Sequence, residues 1–155
     1  MYQSIYSSDI SYIFLQSNGK QLISLDFINK KQKLQTHNCP ILNLAQKELD
    51  LYFCKKLQVF KTPLLIQGSE FEKKVYYALM NIPYGCTKTY QEIATIINHN
   101  KAYRAVGNAN SKNKIAIFIP CHRVLAKNHI GGYANGIFIK KFLLELENAS
   151  ISNFT

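Results

Sequence analysis

The residues Pro120-Cys121-His122-Arg123-Val124 close an apolar run, Ile115-Ala116-Ile117-Phe118-Ile119, that reads as a buried strand. A thiol at the mouth of such a strand is screened from bulk water yet can face a pocket, which is where a nucleophilic cysteine belongs. A free cysteine is more often an inert small hydrophobe. Three neighbours argue otherwise: Pro120 has no amide hydrogen to continue a ladder, His122 supplies a base, and Arg123 supplies charge that favours a thiolate. An ordinary thiol titrates near about 8.5 and is mostly protonated at neutral pH, so Cys121 needs help to react. Neighbouring side chains in regular structure point apart, and a relay from Cys121 to His122 is expected through a water or across a turn. A carboxylate would hold the imidazole in one tautomer. The second half of the chain offers Glu70, Glu72, Glu92, Glu145 and Glu147, and residue types alone do not choose among them.

The elements that must position this group can be read from pattern. Tyr12 to Leu15 and Gln21 to Phe27 flank Ser17-Asn18-Gly19 and predict a hairpin, hence a small sheet at the start. Leu42, Ala45, Leu49, Tyr52, Phe53 and Leu57 recur at helical spacing and predict one amphipathic helix with a core-facing stripe. Lys61-Thr62-Pro63 and Gln67-Gly68 break the pattern. The boundary is therefore placed between an amino-terminal α/β lobe, residues 1–66, and a carboxy-terminal lobe, residues 67–155.

The second lobe opens on Ser69-Glu70-Phe71-Glu72, a capping box that starts a helix through Val75, Tyr76, Ala78 and Leu79. Pro83-Tyr84-Gly85 ends it. Thr89-Tyr90-Gln91-Glu92 repeats the box ahead of Ile93, Ala94, Ile96 and Ile97, and a further helix is expected over Ala102 to Asn110 after the turn-like Asn98-His99-Asn100. Two short helices separated by a tight turn have helix-turn-helix spacing. On the second, Tyr103 and Val106 are expected to face the core. Ala102, Arg104, Ala105, Gly107, Asn108 and Ala109 leave a surface of little bulk, and Gly107 costs about 1 kcal/mol against Ala in a helix interior. Close approach of a partner such as a DNA groove would justify that cost; close helix packing would as well.

Composition bounds the partners. The chain has 155 residues, enough for one domain or two small lobes with a core that needs no staple. Nineteen Lys and Arg against 9 Asp and Glu give a formal charge of +10, which fits a polyanion partner or a basic solvated surface. Cys39, Cys54, Cys86 and Cys121 show no CxxC spacing, and no signal peptide or membrane span is evident, so free thiols in a reducing cytoplasm are expected. His37, Cys39 and Cys54 make a poor tetrahedral set, and no metal is expected.

In order along the chain, Phe71 with Val75, Ile82-Pro83-Tyr84-Gly85, Thr89-Tyr90, Arg104-Ala105-Val106-Gly107, Ile119-Pro120-Cys121-His122-Arg123-Val124, Gly131-Gly132-Tyr133 and Lys140 to Glu147 resemble the methylated-DNA-protein-cysteine methyltransferase family. That family repairs guanine alkylated on its 6-oxygen. The match runs from about Phe60 to Glu147; before it only the coarse plan of the lobe agrees. The resemblance implies an α/β protein whose small sheet-and-helix lobe precedes a mostly helical, DNA-binding lobe with a helix-turn-helix.

It also implies roles. Cys121 is the nucleophile and alkyl acceptor, His122 its base through a water, and Glu147 the carboxylate that orients His122. Tyr90 matches the tyrosine that hydrogen-bonds the extruded guanine and assists its leaving charge, and Asn113 the asparagine that braces the turn before the active-site strand. Ala102, Tyr103, Arg104, Ala105, Gly107 and Asn108 would enter the minor groove, with Arg104 replacing the extruded nucleotide. Arg123 is expected to support the pocket, to contact phosphate, or to form an ion pair. The implied partner is double-stranded DNA containing alkylated guanine, bound by a monomer, with no membrane role. No cofactor is expected, because the protein itself accepts the alkyl group and is spent. A short segment between Cys121 and Gly131, Phe142 in place of a larger aromatic, and Ala134 in place of a hydroxyl depart from many relatives and bear on pocket width. Two alternatives stand beside this reading: a non-catalytic module that binds alkylated DNA, against which Cys121 argues, and a cysteine hydrolase, which the adjacent Cys-His pair fits poorly.

Overall fold

A computed structural model describes residues 1–34 and 38–151. It divides into two compact units, Met1–Ile66 with Lys114–Ala116, and Gln67–Asn113 with Ile117–Thr155. In the first, β1 (Tyr2–Ser7), β2 (Tyr12–Ser17) and β3 (Leu22–Ile28) form an antiparallel meander in that order. The turn at Asn18-Gly19 joins β2 to β3, and Gly19 takes a positive φ of 91° there. Alternation along β2 buries Ile13 and Leu15 beneath helix α1 (Pro40–Phe53), whose Leu42, Ala45, Leu49 and Tyr52 fill the core. Leu57, expected on the helical stripe, lies past the end of α1.

The second unit is mostly helical. Helix α2 (Glu70–Met80) and helix α3 (Tyr90–Ile96) each begin at the expected capping box: the Ser69 and Thr89 hydroxyls accept from the Glu72 and Glu92 amides, and the two carboxylates reach back to the cap amides. The strand pair β4 (Lys88–Thr89) and β5 (Val124–Leu125) ties the start of α3 to the chain after Cys121. Helix α4 (Tyr103–Ser111) follows the turn at Asn98, and α5 (Ile137–Leu146) closes the unit. The turn between α3 and α4 gives the helix-turn-helix. Val75, Leu79, Ile93, Ala94, Val106 and Ala109 are buried, and the Tyr76 hydroxyl donates to the Ala109 carbonyl at 3.1 Å.

Several expectations are corrected. Residues 115–119 form no strand: Ile115 makes a single bridge to Leu25, and residues 116–118 turn, with Ile117 at φ 70°. A run apolar at every position has no period, so a buried turn and a buried strand read alike. A positive φ is strained for a β-branched residue and is held here by the surrounding packing, Ile117 being 1% exposed. On α4, Tyr103 does not enter the core; it is 45% exposed and its ring lies 5.7 Å from the Arg104 guanidinium. Ala109, expected on the open face, is buried.

Candidate active site

Two local devices place Cys121. At Pro120 the backbone makes a tight three-residue turn (φ −81°, ψ 64°), closed by the Cys121 amide donating to the Ile119 carbonyl at 2.8 Å. A single helical turn, Cys121–Arg123, follows. Asn113 stands just after α4, and its Nδ2 donates both to the Ile119 carbonyl at 2.8 Å and to the Cys121 sulfur at 3.2 Å. One amide thus pins the turn and touches the thiol.

Cys121 is 5% exposed, and burial pushes its thiol above the ordinary value; the Asn113 amide and the positive charge of Lys140 oppose that rise. At rest the sulfur is protonated. His122 is fully buried, and burial holds the imidazole below its usual value, the hydrogen bond to Glu147 working the other way. Burial alone would raise Glu147, but hydrogen bonds from His122 and Arg123 hold it well below the carboxylate range. An ionised Glu147 only accepts, so the 2.8 Å contact is His122 Nε2 donating to Glu147 Oε1. That assignment leaves Nδ1 as the bare lone pair, and Nδ1 is buried with no hydrogen-bond partner among the described residues. A neutral imidazole with one nitrogen pinned and the other free is a base waiting for a proton.

Of the three roles expected for Arg123, the structure shows the ion pair rather than the phosphate contact. Its Nε and Nη2 donate to the two Glu147 oxygens at 2.9 Å each, and its Nη1 donates to the Ile82 carbonyl at 2.7 Å. With its side chain 6% exposed, it is spent on a bidentate ion pair and is not placed to reach a phosphate.

The cation beside the thiol is one the sequence reading missed. Lys140 is fully buried, donates to the Val124 and Gly132 carbonyls at 2.6 and 3.0 Å, and is pushed down by burial to about 8. The signal was present: Lys140, Leu143 and Leu144 share one face of α5, and a lysine in an apolar stripe is buried for a reason. Lys140 Nζ also lies 6.0 Å from the centre of the Tyr90 ring.

Tyr90 is the first residue of α3, and burial raises its phenol. Gly131, at φ 79°, passes so close that an added Cβ would stand 2.9 Å from the Tyr90 hydroxyl, so both conformation and space demand glycine there. A cavity of about 280 Å³ opens here, lined by Tyr90, Gly107, Asn110, Cys121, Gly132 and Tyr133 among others. Ala134, one of the departures, lines it as well. Sequence alone marks Asn110 only as the end of a helix and Tyr133 only as part of the Gly131-Gly132-Tyr133 match, neither as a site residue. A Cβ at Gly107 would make ordinary contact with the Tyr90 ring, so the fold itself does not require glycine at that position.

Structure thus brings Cys121, His122, Glu147, Tyr90 and Asn113 together within one unit. Of the groove residues, Tyr103, Arg104, Ala105 and Asn108 are exposed on α4, and Ala102 and Gly107 are half-buried. Among the described residues no three metal-ligating side chains converge; His37, weighed with Cys39 and Cys54, lies outside them.

A buried thiol, an oriented imidazole and an adjoining helix-turn-helix define a protein that performs cysteine chemistry beside a nucleic-acid-binding motif. Residues 70–149 match the family model of the 6-O-methylguanine DNA methyltransferase DNA-binding domain, and residues 1–66 that of the ribonuclease-like domain of the same proteins. The chain belongs to the 6-O-methylguanine DNA methyltransferase family. It is 44% identical to a methylated-DNA–protein-cysteine methyltransferase of Methanosarcina barkeri, over 97% of this chain and 99% of that one. It is 41% identical to the constitutive enzyme of that name from Bacillus subtilis, over 81% and 79%. The crystal structure of Mycobacterium tuberculosis OGT in complex with DNA superposes with a TM-score of 0.87 at 37% identity, covering 96% of this chain and 93% of that one.

Proposed function

We propose that this protein repairs DNA directly, by moving the alkyl group from the 6-oxygen of guanine onto Cys121 in a single irreversible event. The observation that carries this reading is the oriented imidazole: Glu147, itself held by Arg123, fixes His122 Nε2, and the buried Nδ1, without a partner among the described residues, is left to take the proton of Cys121. Proton transfer to Nδ1, directly or through a water, creates an imidazolium against the Glu147 carboxylate, which stabilises it. The thiolate, with the Asn113 amide beside it, attacks the alkyl carbon. The carbon–sulfur bond forms as the carbon–oxygen bond breaks, and the electron pair passes to the guanine, whose charge a Tyr90 hydrogen bond relieves. A thioether is a poor leaving group, so Cys121 keeps the carbon.

The partner is double-stranded DNA. A basic chain with an exposed α4 fits the minor groove, Ala102, Tyr103, Ala105, Gly107 and Asn108 approaching the strands and Arg104 filling the gap left by the extruded base. Among the described residues no helix is long and apolar enough to cross a membrane. We take the protein to act as a monomer in the cytoplasm, where its thiols stay reduced.

The test is to incubate the protein with a duplex bearing methylated guanine and weigh the intact chain. One added methyl, mapped to Cys121 and absent from Cys121→Ser, is expected, with at most one repair per molecule. Many turnovers, or binding without a gain in mass, overturns the reading. Arg104→Ala should slow transfer from duplex more than transfer from a free modified base; equal losses remove Arg104 from base extrusion.

A further inference from the structure

Helix α5 ends at the residue that carries the carboxylate behind His122. Glu147 is the C-cap of α5, and helix ends fray because their last carbonyls have no partner within the helix. The chain that follows meets two of those carbonyls: the Asn148 amide donates to the Glu145 carbonyl at 3.0 Å and the Ala149 amide to the Leu144 carbonyl at 2.9 Å, with Asn148 at φ 55°. The Leu146 carbonyl and the backbone of Glu147 itself are met from elsewhere, by a turn far back in the chain.

That turn is Ile82–Gly85. The Tyr84 hydroxyl donates to the Leu146 carbonyl at 3.3 Å, and the Tyr84 ring centre lies 5.9 Å from the Arg123 guanidinium. The Ile82 carbonyl accepts from Arg123 Nη1 at 2.7 Å, which steadies the fork that grips the Glu147 carboxylate. Gly85, at φ 77°, comes so near that an added Cβ would stand 2.9 Å from the Glu147 carbonyl oxygen, a backbone atom that cannot swing aside as a flexible side chain would. None of the four turn residues lines the cavity, so their hold on Glu147 is not a contact with substrate. We infer that Gly85 is a positioning residue for alkyl transfer: the lack of a side chain there lets the Ile82–Gly85 turn seat Glu147 where its carboxylate holds His122 Nε2.

This rests on the alkyl-transfer reading, and two readouts keep the two apart. The first is single-turnover methyl transfer from a 6-O-methylguanine duplex to Cys121, with the duplex concentration varied. Gly85→Ala should lower the saturated rate about tenfold and leave the half-saturating concentration unchanged. In a Glu147→Gln background the same substitution should cost no further rate. The matched control is Gly19→Ala, which places the same left-handed strain in the turn between β2 and β3 and should leave the saturated rate of the folded protein as it is. The second readout needs no DNA: the Nε2–H proton of His122, followed by heteronuclear NMR, should exchange with water about tenfold faster in Gly85→Ala than in wild type or Gly19→Ala. An unmodified Cys121 in wild type defeats alkyl transfer, and proton exchange still decides the role of Gly85. Transfer and exchange both at wild-type rates overturn the inference, as does an equal loss of rate with and without the Glu147 carboxylate. If Gly85→Ala does not fold, Tyr84→Phe removes a single hydroxyl and should slow transfer about twofold only while that carboxylate is present. An equal effect in both backgrounds, or none, overturns the inference.

Discussion

Two buried glutamates divide this molecule by purpose. Glu48, in the amino-terminal unit, is 5% exposed and accepts from the Lys61 amide at 2.7 Å, the Thr62 amide at 3.1 Å and the Thr62 hydroxyl at 2.6 Å. All three donors sit in one short segment, and the carboxylate holds that segment, residues 61–62, to α1. Glu147, in the carboxy-terminal unit, is 2% exposed and equally well satisfied by Arg123 and His122. The difference lies one bond further out. Among the described residues His122 Nδ1 and Asn110 Oδ1 are buried without a hydrogen-bond partner, and Asn110 lines the cavity that holds Cys121, the residue next to His122. A structural network closes on itself; a reactive one stops short of closing on the side where substrate will come.

The largest expected effect breaks the second network. Glu147→Ala strands the Arg123 guanidinium in the interior and frees His122 to turn. Equilibrium denaturation should show a loss of about 3–5 kcal/mol. Single-turnover transfer per folded molecule should fall roughly a hundredfold. An unchanged rate would reduce Glu147 to a structural residue and erase its contrast with Glu48. The contrast also has a pH signature. Both Glu147 and His122 are held below their ordinary values of 4.5 and 6.5, so the unfolded chain binds each proton first as pH drops. Stability is therefore present above pH 6.5 and lost in two stages on acidification, through His122 first and Glu147 below about 4.5. In Glu147→Gln the second stage should vanish. A wild-type stability curve flat between pH 7 and 5 would show that burial does not hold His122 neutral.

Glu48→Ala is the matched experiment in the other unit and should cost less. It leaves amide and hydroxyl donors wanting an acceptor, worth about 1–3 kcal/mol. Transfer per folded molecule should not change. A parallel fall in rate would mean that the first unit shares in the chemistry.

How much of this the sequence announces depends on how local the cause is. The caps at Ser69 and Thr89 and the turn at Asn18-Gly19 are set by residues within three positions, and they form as expected. Strand β1 has no such signal: Gln3, Ser4 and Ser7 mute its alternation, and an edge strand buries little. The fate of Arg123 depends on Glu147, 24 positions away, and no spacing rule connects them. Asn110 was legible only as a helix residue. That it lines the cavity beside Cys121 follows from how α4 packs, which no composition or periodicity displays.

The smallest effect sharpens the comparison inside one unit. Thr89 and Ser69 make the same capping box, and substitution by Ala should cost about 1 kcal/mol at either helix. Their consequences for transfer should differ. Thr89 sets the first turn of α3, where Tyr90 is held against Gly131 and lines the cavity, whereas α2 contributes no side chain to that lining. Loss of the Thr89 cap lets the first turn fray and the phenol drift, so Thr89→Ala should slow transfer several-fold at full occupancy by DNA. Ser69→Ala, matched in stability, should leave that rate alone. If the two variants lose stability and rate together, the cap acts only through the folded fraction, and Tyr90 is positioned by Gly131 without help from the helix it begins.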